Sequence, residues 1–137
     1  MDTLSKRARS ERMSRVRGKN TKVEHAVRGL VHGLGYRYAL HVNDLPGKPD
    51  LVFRSRRKVI FIHGCFWHRH PRCKLARLPK SRLRFWLPKL EGNRQRDKKV
   101  QRVLTKMGWR SLVVWECQLS DPARLADKVK AFLDKEG

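Results

Sequence analysis

Apolar residues at Val23, Ala26, Val27, Leu30, Val31 and Leu34 recur at i, i+3 and i+4, which predicts an amphipathic helix over Thr21–Leu34, closed by Gly35. Tyr36–His41 alternates weakly and reads as a short strand. Pro46-Gly47-Lys48-Pro49 is turn chemistry and delivers the chain into a strand at Asp50–Phe53. A basic turn, Arg54–Lys58, separates it from a second strand, Val59–Ile62, so the two form a hairpin. Gly64–Pro79 has no period and reads as an irregular loop. Arg82–Met107 is helical, with breaks expected at Pro88 and Gly92 and with Asn93 able to cap the second half. Val100, Val103, Leu104 and Met107 line its apolar face. Leu112–Trp115 is a continuous apolar run, which predicts a strand buried on both faces. Ser120-Asp121-Pro122 opens a last helix with Leu125, Val129, Phe132 and Leu133 inward. This order predicts an α/β domain over residues 20–137, a mixed sheet between helices, preceded by a polar arm at residues 1–19.

Charge changes that picture from a generic domain to one with a polyanionic partner. The 137 residues carry 34 Lys and Arg against 12 Asp and Glu, a formal charge of +22. The excess is concentrated in Arg54–Arg110, where 19 basic residues face only Glu91 and Asp97. A basic field confined to one stretch points to a phosphate-lined ligand, and nucleic acid fits better than general solubility charge. No apolar run reaches the ~18 residues needed to span a bilayer, so no membrane role is expected. The first twenty residues hold no apolar signal segment, and a cytoplasmic, monomeric protein is expected.

Candidate chemistry lies in Ile62-His63-Gly64-Cys65-Phe66-Trp67-His68-Arg69-His70-Pro71-Arg72-Cys73. Three cysteines in the whole chain, an odd number, argue against a disulfide framework and for reduced thiols. Cys65, His70, Cys73 and Cys117 supply the four soft ligands of a tetrahedral Cys₃His zinc site; the competing reading is buried thiols beside surface histidines. His63 and His68 are then left for proton work near neutral pH. Asp50 is either a Mg²⁺ ligand beside a phosphate or a turn acid paired with an arginine. Thr21 and Glu24 fit a capping box, which is the reading that spacing alone favours for Glu24. Phe66, Trp67, Phe85 and Trp86 stand among cations and suit stacking on bases, a reading closely matched by a core role for Phe66 and Trp67, whereas Trp109 and Trp115 read as core.

The strings Leu45-Pro46-Gly47-Lys48-Pro49-Asp50, Val59–His68, Phe85-Trp86, Asn93, Arg96-Asp97, Gly108-Trp109-Arg110 and Val114-Trp115-Glu116-Cys117 together resemble the very-short-patch repair (Vsr-like) DNA mismatch endonucleases. The resemblance runs from the basic arm to about Cys117. It implies a restriction-endonuclease-like fold and a nick on the 5′ side of the thymine in a T·G mispair, the product of 5-methylcytosine deamination. It further implies that Asp50 and the backbone carbonyl of Ile62 bind Mg²⁺, that His68 activates water, that His63 assists at the scissile phosphate, and that Glu24 supports the site. Cys65, His70, Cys73 and Cys117 would hold structural zinc. Phe66, Trp67 and Trp86 would wedge beside the mispair, with Met13 and Val16 of the arm in the other groove, and Lys89 and Asn93 would face the mispaired bases of the duplex.

Two positions depart from the family pattern. Ile62 stands where threonine is usual, which is harmless if only its carbonyl serves. His70 and Cys73 are separated by two residues, Pro71 and Arg72, instead of one, which makes His68 the substitute candidate for the zinc histidine. The competing function is a non-catalytic, zinc-stabilised nucleic-acid-binding protein, which explains the charge and the Cys/His loop but gives Asp50 no task.

Overall fold

A computed structural model describes residues 21–76 and 82–135. The arm, including Met13 and Val16, lies outside the described residues. Helix α1 spans Thr21–Gly33, strand β1 Leu51–Phe53, strand β2 Lys58–His63, helix α2 Leu83–Lys106, strand β3 Arg110–Trp115 and helix α3 Pro122–Asp134. The sheet has the order β1-β2-β3, with β1 antiparallel and β3 parallel to β2. It is therefore mixed, and the α/β expectation holds. No described helix is long and apolar enough to cross a membrane.

The period-2 alternation of β2 divides its side chains between two cores. Ile60 and Ile62 face α1 and α3, where Val23, Val27, Val31, Leu125, Val129 and Leu133 close over the sheet. Val59 and Phe61 face the opposite way, toward Leu104 of α2 and Val42 and Leu45 of the preceding loop. His63 continues this second face beyond the end of the apolar packing. The alternation thus carries one strand from core to site.

Three expectations are corrected. Tyr36–His41 forms no regular strand: it keeps the alternation, with Tyr36, Tyr38 and Leu40 on the α1 side and Ala39 on the other, but it pairs only through Ala39 and Val52, and His41 leaves extended backbone at φ 55°. The strand buried on both faces is β2; β3 lies at the sheet edge, and of its residues only Val114 is fully buried. Helix α2 is continuous through Pro88 and Gly92. A proline this close to the helix start removes one carbonyl partner, and the contacts of Trp86, Leu90 and Asn93 hold the first turns in place against it. Asn93 is consequently a mid-helix residue instead of a cap.

Part of the basic stretch is structural. Lys58 is buried, and its Nζ donates to the carbonyls of Phe132 (2.7 Å), Leu133 (3.2 Å) and Lys135. Arg56 adds a bond to the Leu133 carbonyl at 2.9 Å. These cations satisfy the open carbonyls and negative dipole end of α3. Arg54 pairs with Asp44 at 2.9 Å in the open.

Candidate active site

Gly47-Lys48-Pro49-Asp50 wraps onto α2. Gly47 has φ +75°, and a Cβ there would stand 2.4 Å from Cγ1 of Val100, so glycine alone permits this approach. Lys48 also has a left-handed backbone, at φ 48°. The turn places Asp50 beside the end of β2, where its Oδ2 accepts the Ile62 backbone N–H at 2.7 Å. Ile62 turns its side chain into the α1–α3 core. What Ile62 gives Asp50 is its main-chain N–H, while its side chain belongs to the core.

Asp50, Ile62 and His63 line one side of an open cavity of about 310 Å³; Lys48 and Gly47 lie at its rim, and His68, Arg96, Asp97, Val100 and Gln101 close it from the loop and from α2. His68 Nδ1 lies 2.6 Å from Asp97 Oδ2, and His63 Nε2 lies 3.9 Å from Asp97 Oδ1. The two imidazoles stack with centroids 3.8 Å apart and planes 7° from parallel. Burial pushes the His63 imidazole down to about 4, reinforced by His68 and opposed by Asp97. His63 is therefore neutral at pH 7, and stacking against His68 brings no pair of like charges together. Its Nδ1 is buried and meets no hydrogen-bond partner among the described residues.

Asp97 is the site residue that sequence reasoning missed. Its signal was present, since it is one of two acids among the 19 basic residues of Arg54–Arg110. Glu24 is buried on α1 and meets Arg28 at 3.5 Å; it does not line the cavity.

Beyond His63 the loop turns sharply, with the His68 amide bonded to the Gly64 carbonyl and the His70 amide to the Cys65 carbonyl. This brings Cys65, His70, Cys73 and Cys117 together, one donor atom from each within 4.8 Å of the others. His70, not His68, joins the cysteines: its Nδ1 lies 3.4 Å from Cys117 Sγ. Between His70 and Cys73, Arg72 is exposed and takes a left-handed backbone at φ 56°. Burial pushes the Cys65 thiol up to about 12. Three thiols and an imidazole converging in this way suit a cation that takes four such donors, which is what would favour the thiolates there.

Trp115 does not sit in the core as expected. It stacks on His70 (4.1 Å, 13°) and meets His63 edge-on at 5.2 Å, forming the wall between the Cys/His cluster and the cavity. Trp109 packs beside the α2-side core, as expected. On the loop's other side Phe66 and Trp67 stack at 5.1 Å, and Trp86 leans on both at 5.4 and 5.5 Å. Phe85 continues the cluster outward, with Lys89 Nζ 4.3 Å above its ring. Asn93 Nδ2 donates to the Trp67 carbonyl at 3.1 Å.

The chain is similar to known proteins along its whole length. The family model for DNA mismatch endonuclease Vsr matches residues 1–75. The type II nicking enzyme V.XorIIP of Xanthomonas oryzae pv. oryzae is 53% identical over 133 residues, 97% of this chain and 97% of that protein. DNA mismatch endonuclease Vsr of Escherichia coli is 39% identical over 127 residues, 93% of this chain and 81% of that one. Type II nicking enzyme V.NmeAIP of Neisseria meningitidis is 40% identical over 132 residues, 96% and 94% of the two chains. With the cavity, the Cys/His cluster and the aromatic loop all carried on the matched residues, the chain belongs to the Vsr family of DNA mismatch endonucleases.

Proposed function

We propose that this Vsr-family protein is a Mg²⁺-dependent endonuclease that nicks one strand of duplex DNA on the 5′ side of the thymine in a T·G mispair, in the cytoplasm, as a step in repairing deaminated 5-methylcytosine. The observation that carries the reading is the convergence of Asp50, His63, His68 and Asp97 on one open cavity that Lys48 and Arg96 also line.

With Nδ1–H donating to Asp97, His68 keeps its acceptor lone pair on Nε2 and takes the proton of the attacking water. A new P–O bond forms as the bond to the leaving sugar oxygen breaks. Neutral His63 offers one N–H to a phosphate oxygen without competing for the water's proton. Lys48 and Arg96 at the rim meet the charge that develops on the phosphoryl oxygens. Asp50 and the Ile62 carbonyl would hold Mg²⁺, which supplies Lewis-acid charge at that phosphate when bound. Glu24, which lies on α1 outside the cavity lining, would support the site indirectly. Cys65, His70, Cys73 and Cys117 would hold Zn²⁺ and so fix the loop that carries His68.

Phe66, Trp67 and Trp86 present an aromatic wedge next to the mispair, with Met13 and Val16 of the arm opposite and with Lys89 and Asn93 toward the bases. A mispair stacks less well than a paired step, so the unstacking cost of a wedge is lowest there. The restriction-endonuclease-like fold follows from the family and agrees with the mixed sheet.

The test is nicking of T·G and fully paired duplexes with Mg²⁺ and with EDTA. Cleavage of the thymine strand of the mispaired duplex alone, abolished by EDTA, is the expected result. Binding without cleavage under every condition would overturn the enzyme reading in favour of a binding module.

A further inference from the structure

We propose that Asn93 is a positioning residue that locks the aromatic loop and His68 to helix α2 as one unit, so that placement of the wedge and placement of the water-activating histidine are set together. This rests on the reading of the cavity as a nuclease site.

Two consecutive loop residues are each tied to the same helix. Trp67 is held through its carbonyl, which accepts from Asn93 Nδ2 at 3.1 Å. His68 is held through its ring, at 2.6 Å from Asp97. Asn93 and Asp97 are four residues apart on α2, on one face and about 6 Å along the axis. A peptide unit pinned at both ends to neighbouring turns of a helix has one height and one tilt. The Asn93 amide is itself oriented, because Arg96 Nη2 donates to its Oδ1. Arg96 lies on the cavity rim, so the same three-residue chain runs from the wedge to the phosphate side of the site.

The amide has capacity for more than this. It carries two N–H donors and two acceptor positions, and the structure uses one of each. The second N–H and second lone pair stay available for a base edge. A base contact at Asn93 is thus compatible with its hold on Trp67, and a mispair that shifts Asn93 shifts His68 with it. The residue therefore differs from a simple base reader, whose loss weakens recognition and leaves the chemical step untouched.

The experiment compares the wild type with Asn93→Ala and Asn93→Asp. Asp keeps the size and the acceptor toward Arg96 and loses the donor to the Trp67 carbonyl. Single-turnover nicking of a T·G duplex at saturating enzyme is expected to fall about tenfold to a hundredfold in both variants, as for a catalytic group misplaced by roughly an ångström. The dissociation constant for a fully paired duplex, where there is no mispair for Asn93 to face, measured by anisotropy without Mg²⁺, is expected to move less than about threefold. Hydrogen exchange of free protein is expected to quicken in the loop at residues 64–70 and not in α3. Unchanged loop exchange overturns the proposal, whatever the activity. So does a normal rate with weakened binding, or an Asp variant that behaves as wild type. A wild type that never nicks, with the loop exchange still responding, overturns the nuclease reading and supports the strut.

Discussion

His68 Nδ1 lies 2.6 Å from Asp97 Oδ2, with the His63 ring stacked on its other side. The contact joins the Cys/His loop to α2 and fixes which imidazole nitrogen faces the cavity. Asp97→Asn removes the charge and keeps the shape. An amide can present its N–H to the ring and stabilise the opposite tautomer. Single-turnover nicking is expected to drop about a hundredfold or more, within the usual span for general-base catalysis, with duplex affinity retained. Equal rates for the two proteins would remove Asp97 from the mechanism.

Asp50 carries two tasks that substitution can separate. Its Oδ2 holds the Ile62 amide, and its charge is the anionic part of the proposed Mg²⁺ site. Asp50→Asn keeps an acceptor for Ile62 and loses the charge, so nicking is expected to vanish while urea unfolding stays close to wild type. Asp50→Ala is expected to lose both nicking and about 1–2 kcal/mol of stability, the cost of leaving a main-chain N–H without its partner. If Asp50→Asn still nicks with unchanged Mg²⁺ dependence, the metal ligand lies elsewhere.

What the sequence disclosed and what it hid follow from the reach of each interaction. Residues 21–34, 50–63 and 122–134 could be read because their apolar periods are local and their cores only had to match them. Asp50, His63 and the Cys/His loop were legible for the same reason: turn chemistry and ligand density are short-range signals. Asp97 was not, because its partner is 29 residues away and only the docking of α2 on the sheet unites them. The break expected at Pro88 failed on the same account: α2 runs on through it, and the aromatic contacts on its first turns come from Phe66 and Trp67. Lys58 read as part of the basic turn, and its burial depends on where α3 ends, more than seventy residues on. Trp115 read as core from its apolar run, but the run ends where the sheet gives way to the two His-bearing clusters.

The Cys/His cluster makes a stoichiometric prediction. Purified protein is expected to carry one zinc per chain, lost in Cys65→Ser or Cys117→Ser, with a lower melting temperature. His70→Ala should share that loss. His68→Ala should keep the zinc and lose nicking, since His68 points to Asp97 and not to the cysteines. Zinc loss in His68→Ala with His70→Ala unaffected would exchange the two histidines.

Burial holds His63 down to about 4, against 6.5 for an ordinary imidazole. Between those values the unfolded chain binds a proton that the native protein does not. Stability must therefore rise with pH across that window and fall on acidification from 6.5 toward 4. The full span corresponds to about 3 kcal/mol. His63→Gln removes the group, so the difference in unfolding free energy between the two proteins should shrink as the pH is lowered from 7 to 4.5. A difference that does not vary with pH would show that His63 titrates alike in both states.

Gly47 and Val100 supply the sharpest structural test, because the approach of the turn to α2 leaves no room for a side chain. A Cβ at Gly47 would lie 2.4 Å from Val100 Cγ1 and 3.0 Å from its Cγ2, on a backbone at φ +75°. Gly47→Ala meets both the left-handed penalty and the overlap, and is expected to cost about 2–4 kcal/mol. It should also slow nicking, since the turn carries Lys48 and Asp50 to the cavity. Val100→Ala empties the colliding volume but leaves the backbone penalty. The double variant should therefore recover about 1–2 kcal/mol relative to the sum of the single changes. Full additivity, measured by urea unfolding of all four proteins, would mean that the turn moves away from α2 instead of colliding with it.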